Sequence, residues 1–199
     1  MAFITELDIV NACLKSMGRT PINSLAGGSP IIASAKECIE TALMEEQGIG
    51  WWFNTEFLEL DADTDGYVNI PADTLALDVE ANPPWMTTRG SRIYDNRIGD
   101  YYKTTGKTKV VLTRLVPLDD LPYQAQRLVQ TAAVLSFQDA YDADDAKIKT
   151  AQAAYDKSYT IIRAQHIRAV GANVLNQGAG AMSQQRTRRF YGRDERFST

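Results

Sequence analysis

The chain contains one histidine, His166, and two cysteines, Cys13 and Cys38, in 199 residues. One histidine excludes a multi-histidine metal centre, and two thiols without clustered histidines form neither a disulfide framework nor a zinc site. Both cysteines fall among apolar residues of expected helices, which assigns them to a core. No run of about 18 apolar residues exists, so no transmembrane helix and no membrane anchor is expected. The first residues, Met1-Ala2-Phe3-Ile4-Thr5-Glu6, lack a basic segment followed by a long apolar one, so an export signal is not expected and the chain is read as made in a reducing cytoplasm.

Apolar residues make up 44% of the chain and charged residues 23%, the balance of a globular protein able to bury a core without covalent staples. The net charge of -4 hides an asymmetry. After Gly171, Arg186, Arg188, Arg189, Arg193 and Arg196 face only Asp194 and Glu195, so an acidic body carries a basic tail. Such a tail suits an interaction arm reaching an acidic partner, either protein or nucleic acid.

Ile4, Leu7, Val10, Leu14 and Met17 recur at helical steps, with Thr5 and Asp8 as a capping box, Ile4 and Ile9 at staple positions, and Gly18 and Pro21 as the stop. A second helix starts at Ser29 and Pro30, runs through Ile32, Ala35, Ile39 and Leu43, and ends near Gly48. From Trp51, β-branched and aromatic residues alternate with polar ones, which predicts strands over Trp52–Leu60, Tyr67–Ile70, Trp85–Thr88, Arg92–Tyr94 and Lys109–Val116. Turns are expected at Asp65-Gly66, Asn82-Pro83-Pro84 and Arg89-Gly90. Helical period returns at Pro122 with Ala125, Leu128, Ala132 and Leu135, and again with Ile148, Ala151, Tyr155, Tyr159 and Ile162.

The expected fold is α+β, because neither helix pair can bury its apolar face without the other. A four-helix bundle-like body, built from residues 1–50 and 118–170, carries an inserted small β-sheet or sandwich over 51–117. An extended basic arm follows over 171–199. Trp51, Trp52 and Phe53, where the helix pair hands over to the strands, are expected to form the hinge core between the subdomains.

Chemistry-bearing motifs fail one by one. Asp61-Ala62-Asp63-Thr64-Asp65-Gly66 copies the opening of a calcium-binding EF-hand loop, but Ala72 stands where the bidentate glutamate belongs and the flanks are strand-like. Gly106-Lys107-Thr108 lacks the glycine five residues earlier, where Tyr101 stands, and the helix whose amides cradle phosphate. His166 has no nucleophile elbow to serve and falls by default on a partly buried helix face. Glu56, Glu59, Asp61, Asp63 and Asp65 supply carboxylates in the number a glycosidase needs, but alternating acids on a strand are normally solvated. Hydrolysis of a cell-envelope polysaccharide is the enzymatic alternative they leave. No catalytic residue, metal or cofactor is expected.

Taken in order, Gly50-Trp51-Trp52-Phe53-Asn54, the stretch Asp65-Gly66-Tyr67-Val68-Asn69-Ile70-Pro71-Ala72-Asp73-Thr74-Leu75, and Arg89-Gly90-Ser91-Arg92-Ile93-Tyr94-Asp95 resemble the tail tubular protein A family. This is the head-to-tail adaptor family of short-tailed bacteriophages. The first helix with Gly18 and Pro21, and Leu121-Pro122 before the third, extend the likeness over residues 4–165. The resemblance implies a structural protein and not an enzyme. It would self-associate into a twelve-fold ring between the portal protein and the tubular tail nozzle (a tubular protein B-like partner), with double-stranded DNA passing through the centre. The implied location is the virion tail, after assembly in the host cytoplasm. In this family the helical side and C-terminal arm are held to face the portal and the β side the nozzle. Arg186, Arg188, Arg189, Phe190, Tyr191 and Arg193 are therefore the portal-interface candidates, with arginines pairing carboxylates and the aromatics as anchors. Contact of the same arginines with DNA is the other expectation they carry.

Overall fold

The computed structural model describes residues 3–26, 29–79, 85–141 and 144–176, without the side chains of 172–176. Helix α1 (Glu6–Ser16) opens on the expected capping box: the Thr5 hydroxyl accepts from the Asp8 amide, and the Asp8 carboxylate takes the Thr5 amide at 2.9 Å. It closes at Gly18, whose φ of +73° is a conformation glycine adopts without steric cost. Helix α2 (Pro30–Gly48) begins with proline in its first turn, where a missing amide proton costs nothing.

Six strands follow. β1 (Thr55–Leu60), β2 (Thr74–Val79) and β6 (Thr108–Arg114) form an antiparallel sheet in the order β1-β6-β2. β3 (Met86–Arg89), β4 (Arg92–Asp95) and β5 (Asp100–Tyr101) form a second sheet in that order. A short 3-10 turn, Leu118–Asp120, leads to α3 (Tyr123–Tyr141) and then α4 (Asp145–Asn176).

The α+β architecture of a four-helix bundle with inserted β structure is therefore present, with corrections in detail. Tyr67–Ile70 is not a strand: Val68 and Asn69 make only isolated bridges to Ala62 and Arg92. The strand that completes the first sheet lies later, at Thr74–Val79, with a register irregularity between Thr74 and Ala76. β1 starts at Thr55 and not Trp52, because residues 51–54 are folded into a turn. Helix α4 continues through Gly171 to Asn176, so residues 171–176 are helical where an extended arm is expected. A glycine inside a helix costs only about 1 kcal/mol relative to alanine, too little by itself to end the helix at Gly171.

Two cores form. The larger buries Ile9, Val10, Cys13 and Leu14 of α1, Ile32, Ala35 and Ile39 of α2, and Leu128, Val129, Ala133 and Phe137 of α3, with Trp51 and Ile162 closing it. The smaller unites the two sheets through Val68, Val79, Ile93, Val110 and Leu112. The chain divides into two compact units, Met1–Ile162 and Arg163–Thr199, and both cores belong to the first. Cys13 is fully buried and its thiol is pushed up to about 12 by burial; Cys38 is only half-buried, less enclosed than a core position.

Candidate functional site: the junction between helices and sheets

The chain crosses between helices and strands twice, after α2 and after β6, and both crossings are tied to the last turn of α2. Gly50 turns the chain at φ +82° and donates to Gln47 O. The Trp51 amide then donates to Asn54 Oδ1 at 2.7 Å, and the Thr55 hydroxyl donates to Trp51 O at 2.7 Å. Asn54 Nδ2 donates to two carbonyls at once: Gln47 O at the helix end, 3.0 Å, and Arg114 O at the end of β6, 2.9 Å. One buried amide thus caps a helix and fastens the strand that leaves the sheet.

Gln47 does the same for the second crossing. Its Nε2 donates to Val116 O at 2.9 Å and its Oε1 accepts from the Val116 amide at 2.8 Å, so the side chain pairs with Val116 as a neighbouring strand would. Asn54 and Gln47 are each only 1% exposed. An amide at that depth is tolerable only when its donors and acceptors are matched, and matching fixes the geometry of both crossings. Further along, Gln126 accepts from the Ile4 amide at 3.0 Å and donates to Leu118 O at 3.0 Å, closing the path from β6 into α3.

Beneath these amides lies Glu46. Burial pushes its carboxyl up to about 7, opposed by a hydrogen bond from Tyr155, and its Oε2 accepts none among the described residues. Burial likewise raises the Tyr155 hydroxyl, with the Glu46 charge adding to it. The backbone carbonyl of Glu46 takes the Trp51 indole N–H at 2.7 Å. Arg114 braces the outside: Nε lies 2.8 Å from Asp73 and Nη1 3.1 Å from Glu56. The Asp73 hydrogen bond is the main cause that raises its guanidinium above the ordinary range.

Of the three aromatics at the handover, Trp51 is 3% exposed, lies in the helical core and meets Tyr159 edge-on at 6.0 Å. Trp52 and Phe53 are half-buried against that core and meet each other edge-on at 5.2 Å. Gln47, Asn54 and Glu46 were not legible as site residues; the only sequence signal is an amide or acid on the otherwise apolar side of a helix end. Arg186, Arg188, Arg189, Phe190, Tyr191 and Arg193 lie outside the described residues.

The decoy motifs are occupied structurally. The Asp63 carboxylate accepts from the amides of Asp65 and Tyr67 at 3.0 and 2.9 Å and from Asn69 Nδ2 at 3.1 Å, which, led by the Tyr67 bond, holds it below the usual carboxylate range. It shapes the Asp65-Gly66 turn, where Gly66 has φ +85°. Glu59 pairs with Lys109 directly across the sheet, and Glu56 with Arg114, so these carboxylates brace strands and do not converge on a substrate cleft. Among the described residues no cluster of potential ligands could hold a metal ion. Lys107 sits just before β6 and not before a helix. His166 is buried on α4, and burial lowers its imidazole.

The sequence model of one family, described as tail tubular protein, matches residues 7–192. The chain belongs to the tail tubular protein family. A tail tubular protein A from Klebsiella phage KP34 is 25% identical over 121 residues, covering 60% of this chain and 64% of that protein. The aligned stretch thus spans less than two thirds of that relative. Membership places the chain among tail tubular, adaptor-type proteins. No helix among the described residues is long and apolar enough to cross a membrane.

Proposed function

We propose that the chain is the ring-forming adaptor between portal and tail nozzle, twelve copies surrounding the path that DNA takes during ejection. The observation that carries this is the double tie of the junction. An adaptor must transmit a fixed relation between one ring and the next, so its two halves must not swing independently. Two chain crossings held by matched, buried amides give that rigidity, where an exposed linker would allow relative motion. The family match over nearly the whole chain agrees with a role of this kind.

In this proposal the helical body and C-terminal arm meet the portal, and the β region meets the nozzle. Arg186, Arg188, Arg189 and Arg193 pair with portal carboxylates, while Phe190 and Tyr191 fill pockets as anchors. The acidic body suits a channel wall that must let DNA slide, since like charge keeps the duplex from sticking. Assembly takes place in the host cytoplasm and the product resides in the virion tail.

Negative-stain microscopy of the chain with and without its portal tests the reading. Rings stacked on the portal are expected with the full chain, and none after deletion of residues 180–199, while circular dichroism of the truncated protein stays unchanged. Portal binding that survives the deletion overturns the role of the arm. A gel shift of duplex DNA by the isolated chain, lost with the same deletion, would assign the arginines to DNA instead.

A further inference from the structure

The second sheet has an outward face unlike the rest of the molecule. Cross-strand register places Thr87 opposite Tyr94, Arg89 opposite Arg92, and Tyr94 opposite Tyr101, so these side chains share one face, while Ile93 and Met86 turn inward to the small core. On that outward face the aromatic rings form a continuous ladder. Tyr94 meets Tyr101 edge-on at 5.5 Å, and Tyr101 meets Tyr67 edge-on at 6.2 Å. Cations cap both ends: Arg89 lies 4.0 Å over Tyr94, and Arg92 and Lys103 lie 4.2 and 4.4 Å from the Tyr67 ring centre.

Arg92 is positioned from behind, its Nε 3.2 Å from Asn69 Oδ1 and its guanidinium 3.6 Å from Asp63. Arg89 differs. It is exposed, stacked on Tyr94, and has no carboxylate within ion-pair distance among the described residues. Stacking uses the flat face of a guanidinium and leaves its edge, where the N–H donors project, free for a carboxylate fork. The rotamer cost of immobilising that long side chain on binding is largely met already by the ring beneath it.

We infer that this face, Arg89 with the tyrosine ladder Tyr94-Tyr101-Tyr67, is a docking surface for a protein that presents exposed carboxylates, the component next to this one on the nozzle side of the tail. The identity of that partner rests on the proposed adaptor role. Charge patterning favours protein over DNA. The cations Arg89, Arg92 and Lys103 stand among Asp63 and Asp65, and Asp100, set by register on the opposite face, is with Asp65 still close enough to act on the Lys103 ammonium. Three cations against two acids on the face and a third beside it leave too little net positive potential to displace many counterions from a phosphate backbone, the source of most DNA affinity. A mixed-charge surface rich in tyrosine and arginine is instead the composition of protein interface centres, where charge pattern selects the partner.

Binding of the full-length chain to the purified nozzle protein and to the portal of the same virion, by surface biolayer measurement, tests this. Arg89→Glu is expected to weaken nozzle binding by about tenfold or more while portal binding stays within about twofold. Thr87→Glu, at an exposed position of the same face, should act in the same direction without disturbing the ladder. Lys109→Glu, on the other sheet, should leave both affinities unchanged. Nozzle binding by both Arg89→Glu and Thr87→Glu within about twofold of the parent overturns the docking surface and leaves the adaptor role standing. A parent chain that binds the portal but not the nozzle also overturns it, and one that binds neither removes the adaptor role as well. A duplex-DNA gel shift lost in Arg89→Glu would assign the face to nucleic acid and overturn the protein partner.

Discussion

The helical body and the β region solve the problem of stability in different ways. Among the described residues the helical core gathers sixteen buried apolar side chains from all four helices, the handover turn and the segment before α3, whereas the two sheets share five. The sheets compensate at their surface, with Arg114 bridging Asp73 and Glu56, Lys109 facing Glu59, and cations laid over Tyr67, Tyr94 and Trp85. Apolar burial is non-directional and tolerates a featureless exterior; surface pairs are weak singly but carry pattern. The helical body thus holds most of the apolar burial and the β region more of the patterned surface pairs, and the junction ties one to the other.

Cutting each core should produce the largest difference. Phe137, fully buried and stacked on Tyr141, should cost about 4 kcal/mol as Phe137→Ala, and urea unfolding should then show loss of the whole fold in one transition. Ile93→Val, in the small core, should cost only about 1 kcal/mol. A midpoint shift larger for Ile93→Val than for Phe137→Ala would reverse the assignment of anchor and ornament. The junction comes next. Asn54→Ala leaves the Trp51 amide unpaired and takes the side-chain donor from Arg114 O, while Gln47 O keeps the Gly50 amide; the cost is about 3 kcal/mol, since a buried group left unpaired loses its full solvation. Because the lesion lies at the tie and not in either core, tryptophan fluorescence and far-ultraviolet dichroism should cease to unfold together. Coincident curves would show that the cores hold each other without it.

The parts legible in the sequence are those governed by local rules. Thr5 and Asp8 announce α1, Pro30 announces α2, and apolar steps of three and four place α3 and the first half of α4, because helix period and capping are written within a few neighbouring residues. Strand partners were less legible. Val68 and Ile70 alternate as well as Leu75, Leu77 and Val79 do, yet only the latter segment forms a strand, since pairing with β6 depends on Arg114 and Leu115 reaching Asp73 from some forty residues away. The junction was hidden for the same reason. Trp51 advertises burial by its type, but nothing local reveals that Asn54 and Gln47 are fully enclosed, because their partners Arg114 and Val116 lie at the far end of the insertion. Tyr67, Tyr94 and Tyr101 likewise become a ladder only once register is known.

Glu46 offers the finest test of the junction, because it makes the tie sensitive to pH. Its carboxyl titrates near 7 in the folded protein, raised by burial from an ordinary 4.5, so the folded chain holds this proton more tightly than the unfolded one. Stability from this group is therefore fully present below about pH 4.5 and is lost as pH rises towards 7, then stays flat. At about 1.4 kcal/mol per pH unit of displacement, the loss is at most roughly 3 to 4 kcal/mol, and nearer 2 where water relaxes the buried charge. Glu46→Gln keeps the shape and an acceptor for the Tyr155 hydroxyl while removing the proton. Urea midpoints of the variant should exceed the parent's at pH 8 and converge with them at pH 4.5, after correction for the other carboxylates through the difference between the two curves. A constant offset across that range would mean that Glu46 is solvated in both states, and the junction would then be wetter, and looser, than two matched amides require.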